Sequence, residues 1–246
     1  MNFIGKIGYL FLCVLILSCT NSDINDEQLS LKSYLDSAIF NTGAVIACAA
    51  SDNDSGNILT FYYPESGALN TRYYETKSVE VDHNNFSNYQ QVLIVSEPIF
   101  NCYLRRFSQE SMVEKWIIIT FELDGEIKVS NPIRSKQISK PTLWDDIVTI
   151  EQSESNMPIF SWQDNVVRDN TIYFQIVSDT QDNLLSGTYT NQNQFQYYKL
   201  DNVVLNITIE TPPTLQLGFL YNFTLMDVSL DNWVNAATLN KSFVNQ

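Results

Sequence analysis

Trp116-Ile117-Ile118-Ile119-Thr120-Phe121-Glu122-Leu123, then Asp124-Gly125, then Glu126-Ile127-Lys128-Val129-Ser130 is the stretch that decides the fold class. Two runs rich in β-branched and aromatic residues flank an Asp-Gly pair, which reads as a β-hairpin. In the first run Ile117, Ile119 and Phe121 fall on one face, and Ile118, Thr120 and Glu122 on the other. In the second, Ile127 and Val129 alternate with Glu126, Lys128 and Ser130. A two-residue turn opposes Phe121 to Lys128. A three-residue loop, Leu123-Asp124-Gly125, opposes Phe121 to Ile127 and Ile119 to Val129. Register follows the buried face, so the longer loop, which aligns the two apolar sets, is the expectation.

Working outward, Val45–Cys48, Leu59–Tyr63, Arg72–Glu75, Val92–Val95 and Phe100–Phe107 have the same character, separated by Asn, Asp, Gly, Ser and Pro clusters. With the hairpin they make a β-sandwich over residues 41–142. The periodicity breaks at Lys140-Pro141-Thr142-Leu143-Trp144-Asp145-Asp146, which sets a domain boundary there, with Trp144 wedged between the two units. Beyond it, Pro158-Ile159-Phe160-Ser161-Trp162 resembles the second strand of fibronectin type III domains, where a core tryptophan closes an apolar–x–Trp pattern. Ile172–Val177 matches the third strand and Val203–Ile209 the fifth. Leu215-Gln216-Leu217-Gly218-Phe219-Leu220-Tyr221 is similar to that family's tyrosine corner, with Leu217 where the family has proline. The sixth strand then turns Tyr221, Phe223 and Leu225 inward and Asn222, Thr224 and Met226 outward. The expected architecture is all-β: two tandem immunoglobulin-like β-sandwiches, the second (143–246) fibronectin type III-like. The halves share no repeated sequence.

The N-terminus carries a different message. Lys6 precedes an apolar run, Ile7–Leu17, which is shorter than the roughly 20 residues of a membrane-spanning helix. A basic start, a short apolar segment and small polar residues describe a secretory signal. The ending Ile16-Leu17-Ser18-Cys19 resembles the lipobox of bacterial lipoproteins. That resemblance implies a signal peptide over 1–18, diacylglycerol on Cys19, and anchoring by acyl chains in the cell envelope. Asp23, Asp26 and Glu27 after the cysteine look like the surface-export signals of Bacteroidota outer-membrane lipoproteins; read plainly, they are an acidic tether. Within this tether (19–40), Leu31, Leu35 and Ile39 recur at helical spacing.

Composition narrows the function. Fourteen Lys and Arg against 28 Asp and Glu give a formal charge of −14, which offers no basic field for nucleic acid. A single histidine and four cysteines leave little material for zinc or haem sites, and no cofactor is implied. Asp52-Asn53-Asp54-Ser55-Gly56-Asn57 alternates carboxylates as calcium loops do, but lacks the distal glutamate and reads as a strand-to-strand turn. His83 sits in a polar stretch with no triad pattern around it. Arg134, Lys136 and Lys140 form a basic cluster at the domain boundary, expected to meet acidic residues across the junction or to face solvent. Cys48 and Cys102 either form a disulfide, worth about 4 kcal/mol for a loop on the order of 50 residues, or are two buried thiols.

Binding candidates are aromatic. Adjacent tyrosines in a strand point to opposite faces, so Tyr63 and Tyr74 are candidates to lie outward. Trp233, with Asp231 and Asn232, falls near a loop between the last two strands. It either stands on a binding loop or opens the final strand and packs inward. The expectation is a non-catalytic lipoprotein of the outer membrane or cell surface, a binding or assembly module for an envelope protein or glycan. The alternatives are a carbohydrate-active accessory or hydrolase using carboxylates, and a structural spacer. Replacing Cys19→Ala should move the protein from the membrane to the soluble fraction of lysed cells; membrane retention that survives high salt would refute the anchor.

Overall fold

The computed structural model describes residues 30–163, 169–208 and 211–246. The expected signal peptide, Cys19, and Asp23, Asp26 and Glu27 of the expected tether lie outside the described residues. The chain enters through a short helix, α1 (Leu31–Leu35), capped by Ser30, whose side chain accepts from the Ser33 N–H. Leu31 and Leu35 are buried as their spacing requires, but Ile39 is 70% exposed, because the helix ends at Asp36 and the chain turns into a strand.

Ten strands follow in the first half: β1 (Phe40–Val45), β2 (Ala47–Ser51), β3 (Ile58–Tyr62), β4 (Leu69–Glu75), β5 (Gln90–Val92), β6 (Glu97–Ile99), β7 (Leu104–Gln109), β8 (Trp116–Leu123), β9 (Glu126–Ser130) and β10 (Ile133–Arg134). The second half holds β11 (Leu143–Trp144), β12 (Val148–Glu151), β13 (Ile159–Trp162), β14 (Asn170–Asp179), β15 (Leu184–Thr190), β16 (Gln194–Gln196), β17 (Val203–Asn206), β18 (Leu220–Ser229) and β19 (Val234–Val244). Among the described residues the first half pairs as β1-β9-β8-β4-β5, with β10 on β8, facing β2-β3-β7-β6. The second pairs as β11-β19-β18-β14-β15-β17, facing β12-β13-β16. In each half the first strand runs parallel beside a late one, β1 along β9 and β11 along β19. The two immunoglobulin-like sandwiches share this parallel pairing but differ at their edges: the first adds β6 beside β7, and the second adds β17 beside β15.

The second sandwich bears the fibronectin-like features. Trp162 is buried with its ring edge-on to Tyr173 at 5.1 Å, and Phe160 stacks on Phe223 at 3.9 Å. The Tyr221 hydroxyl accepts from the Gln216 N–H at 2.9 Å, closing a tyrosine corner despite the missing proline. Gly218 supplies the left-handed residue of that turn, at φ 77°. One strand differs from expectation. The short fifth strand is β16, which pairs with β13, whereas Val203–Asn206 is β17, at the edge of the larger sheet beside β15.

The hairpin also departs from the expected register. Asp124 and Gly125 form a two-residue turn with φ 53° and 81°, and Phe121 opposes Lys128 while Glu122 opposes Ile127. Two positive φ values match the right-handed twist of the flanking strands. The expectation failed because β8 is buried on both faces. Ile117, Ile119 and Phe121 enter the sandwich core, while Ile118, Ile127 and Val129 pack under α1 with Leu31, Leu35 and Tyr89.

β18 is two-sided as well. Tyr221, Phe223 and Leu225 face the three-stranded sheet as expected. Met226, expected outward, is buried together with Val228 against Cys48, Ala50, Leu59 and Phe61 of the first half. The two sandwiches thus share a hydrophobic core. Trp233 completes the join: it is 0% exposed, sits among Val45, Tyr62 and Phe107 of the first sandwich, and donates its Nε1–H to the Lys140 carbonyl at 2.9 Å. Around it the Ala49 N–H donates to Asn232 O at 3.0 Å, and Ser51 and Thr142 exchange two side-chain-to-backbone hydrogen bonds. Trp233→Ala should lower stability by about 3–5 kcal/mol, the usual cost of truncating a buried Trp. Urea unfolding followed by circular dichroism checks this; an unchanged midpoint would mean that the ring is not packed.

Candidate functional site: the inter-sandwich cleft

The sequence-derived binding residues do not converge. Trp233 is consumed in the junction. Asp231 accepts an ion pair from Lys136 at 2.8 Å, and Asn232 donates from its amide to the Pro132 carbonyl at 3.2 Å. Tyr74 is buried beneath α1, 6.2 Å from Tyr34. Tyr63 is half-buried and stacks on Tyr103 at 5.6 Å, and the Tyr103 hydroxyl donates across the junction to Ile207 O at 2.7 Å. These rings hold the protein together and leave no flat aromatic platform. His83 stacks on Trp116 at 4.3 Å, away from the junction. Two members of the basic cluster meet acids across the junction, Lys136 with Asp231 and Lys140 with Asp169 at 2.7 Å, whereas Arg134 lies over the Trp116 ring at 6.0 Å and forms no ion pair among the described residues.

Cys48 and Cys102 are both free thiols. Cys48 lies within β2, at one edge of the sheet β2-β3-β7-β6, and Cys102 in the turn that joins β6 to β7. The two strand spacings from β2 to β7 alone amount to about 10 Å, beyond the ~7 Å that a disulfide tolerates between Cα atoms. Cys48 points into the shared core, where burial pushes its thiol up to about 12. Cys102 is exposed in a turn. Native-state iodoacetamide labelling with peptide mapping should modify Cys102 and spare Cys48 until denaturant is added; labelling of neither, or of both together, would contradict this placement.

What the structure does bring together is a cleft of about 1080 Å³ where the sandwiches meet. Phe61 and Met226 lie at its buried floor, one from each sandwich, and Ile99, Phe100, Trp144 and Leu239 offer accessible apolar surface along its walls. Two irregular backbone segments form those walls. Phe100, Asn101 and Cys102 are consecutive left-handed residues, with φ 48°, 50° and 71°, a conformation costly for non-glycine residues. The Asn101 amide clasps the opposite half, donating to Gln181 O at 3.1 Å and Asn183 Oδ1 at 2.6 Å. Across the cleft, β19 bulges between Thr238 and Lys241, with Asn240 at φ 48°. The bulge re-aims Leu239 outward, leaving it 53% exposed on the cleft wall.

The rim is acidic. Asp52 and Asp54 come from the β2–β3 turn, Asp145 and Asp146 from the segment after β11, and Asp182 from the β14–β15 turn. The Ser55 hydroxyl holds Asp52 below the usual carboxylate range, helped by backbone N–H groups of the turn. The turn thus organises itself around its own aspartate, as an Asx turn does. No group of three potential metal-ligating side chains occurs among the described residues. Lys241 pairs with Asp146 at 2.7 Å, and Arg106 with Glu97 at 2.9 Å. Asp52, Asp54, Asp145 and Asp182 form no ion pair among the described residues.

Sequence reasoning missed this site because its residues come from separate turns and from a strand face expected to be solvated. The one legible signal was the adjacent pair Leu225-Met226, which places apolar side chains on both faces of one strand.

No family model and no curated protein matches the chain. Among solved structures, the chicken interferon gamma receptor alpha chain aligns at 12% identity and TM-score 0.26, covering 81% of this chain and 96% of that chain. The receptor tyrosine kinase Torso, described as perceiving a neurohormone, aligns at 12% identity and TM-score 0.23, covering 85% of this chain and 76% of that chain. The assignment of two sandwiches rests on the strand pairing described above.

Proposed function

We propose that this chain is a non-catalytic binding module whose inter-sandwich cleft engages a protein partner, with lipid on Cys19 holding it at the outer membrane of a bacterial envelope. The observation that carries this reading is that both walls of the cleft are fixed by one shared core. Met226 and Phe61 belong to the same buried cluster, and Trp233 locks the halves together. A recess formed during folding needs little ordering on association. Its accessible apolar surface next to polar groups is the composition of a recognition site. Asp52, shifted down, is not poised as a general acid. A glycan platform is less well supported, since Trp233 and Tyr74 are buried and Tyr63 is stacked inside the junction.

A photo-crosslinking amino acid at Leu239, introduced in the full chain in intact cells, should yield a discrete protein adduct. The same group at Val204, on β17 at the far edge of the larger sheet, serves as the control. No adduct at position 239, or identical adducts at both positions, would remove the cleft as the point of contact.

A further inference from the structure

We infer that the occupant of the cleft is an extended, lysine- or arginine-bearing segment of a partner protein that alternates cationic with aliphatic side chains; this rests on the binding reading above. The inference comes from placing charge beside apolar surface. Ile99, Phe100, Trp144 and Leu239 line the walls, and unpaired carboxylates stand on both sandwiches: Asp52 and Asp54 on the first, Asp145 and Asp182 on the second. An aliphatic side chain entering the cleft is desolvated against the walls, while cationic neighbours at the mouth meet carboxylates on either side. Charge complementarity of this kind governs encounter and register more than bulk affinity. The cleft, at about 1080 Å³, has room for a few side chains of a chain segment.

The same electrostatics argue against a second copy of this chain. A copy carries a formal charge of −14. Its notable basic cluster is already engaged: Lys136 is held by Asp231 and Lys140 by Asp169. Lys241, inside the cleft, is held by Asp146 and the Val148 carbonyl. Lys32 and Lys77 of a copy are exposed and in no ion pair among the described residues, but the net negative charge of the copy repels an acidic rim, so a partner of opposite charge fits better.

The test uses the full chain in mild detergent and a fluorescein-labelled decapeptide of alternating Lys and Leu. The comparison peptides replace Lys by Glu in one case and Leu by Ser in the other. Fluorescence anisotropy at low salt should show binding of the Lys–Leu peptide, weakened about tenfold or more by 0.5 M NaCl, because rim charges are screened. Asp54→Asn with Asp145→Asn should weaken binding about tenfold, and so should Leu239→Asn alone. Asp201→Asn with Glu151→Gln, remote from the cleft, should leave it unchanged. Equal binding of the Lys–Ser peptide, equal loss in the remote variant, or no binding of the Lys–Leu peptide would overturn the inference. Mass spectrometry of the adduct at position 239 separates the two levels. A crosslinked partner peptide lacking Lys and Arg overturns this inference and leaves the binding module standing; no adduct at all overturns both.

Discussion

The insertion of Trp233 into the first sandwich is the constraint on which the rest of the structure depends. A sheet with apolar residues on both faces must find cover for both. The sheet around β14 and β18 covers one face with its own three-stranded partner and the other with the first sandwich. Domains within one chain ordinarily meet through modest polar contacts and move relative to one another. Here a large aromatic side chain from one unit is a core residue of the other. The connecting segment is itself a strand, β11, hydrogen-bonded alongside β19. The angle between the sandwiches is therefore set by the same burial that folds them.

This double-sided burial also explains what could be read from the sequence. The all-β class, β8 and β9 to the residue, the buried Trp162 and the tyrosine corner were legible, because each follows from local alternation or from a short motif. The hairpin register was not. Alternation tells which residues share a face; it does not tell how many faces are buried. Once α1 covers the outer face of β8, Ile118 and Val129 need no place in the inner core, and the Asp-Gly turn takes its preferred two-residue form. Met226 misled for the same reason. Trp233 was left between a loop and a core position, since the partner that buries it lies more than 170 residues earlier in the chain, at Val45 and Tyr62. The cleft was illegible because its walls are assembled from turns whose proximity only the inter-sandwich contact creates.

Charge is distributed according to the same division. The chain has half as many basic as acidic residues, and several of its lysines are committed to the junction. At Asp169 burial opposes ionisation, but the Lys140 ammonium, with Lys136 and the Asn235 amide, outweighs it and holds the carboxyl below its ordinary range. These pairs neutralise acid where the two halves touch. The carboxylates that remain are mostly solvated and act as a general repulsive field. At the cleft mouth they border apolar surface, where a local dielectric lower than water makes each charge count for more.

The backbone reinforces this assignment. Left-handed conformations at three successive non-glycine residues and a bulge in an otherwise regular strand are both unfavourable by themselves. They occur on opposite walls of one recess, and each is pinned by contacts to the other sandwich or to the sheet behind it: Asn101 by Gln181 and Asn183, Asn240 by a hydrogen bond from its N–H to the Thr224 hydroxyl. What both accomplish is to turn side chains toward the space between the sandwiches, Leu239 from one side and Phe100 from the other. A recess that existed only as a gap between two packed bodies would not require two independent distortions to furnish its walls.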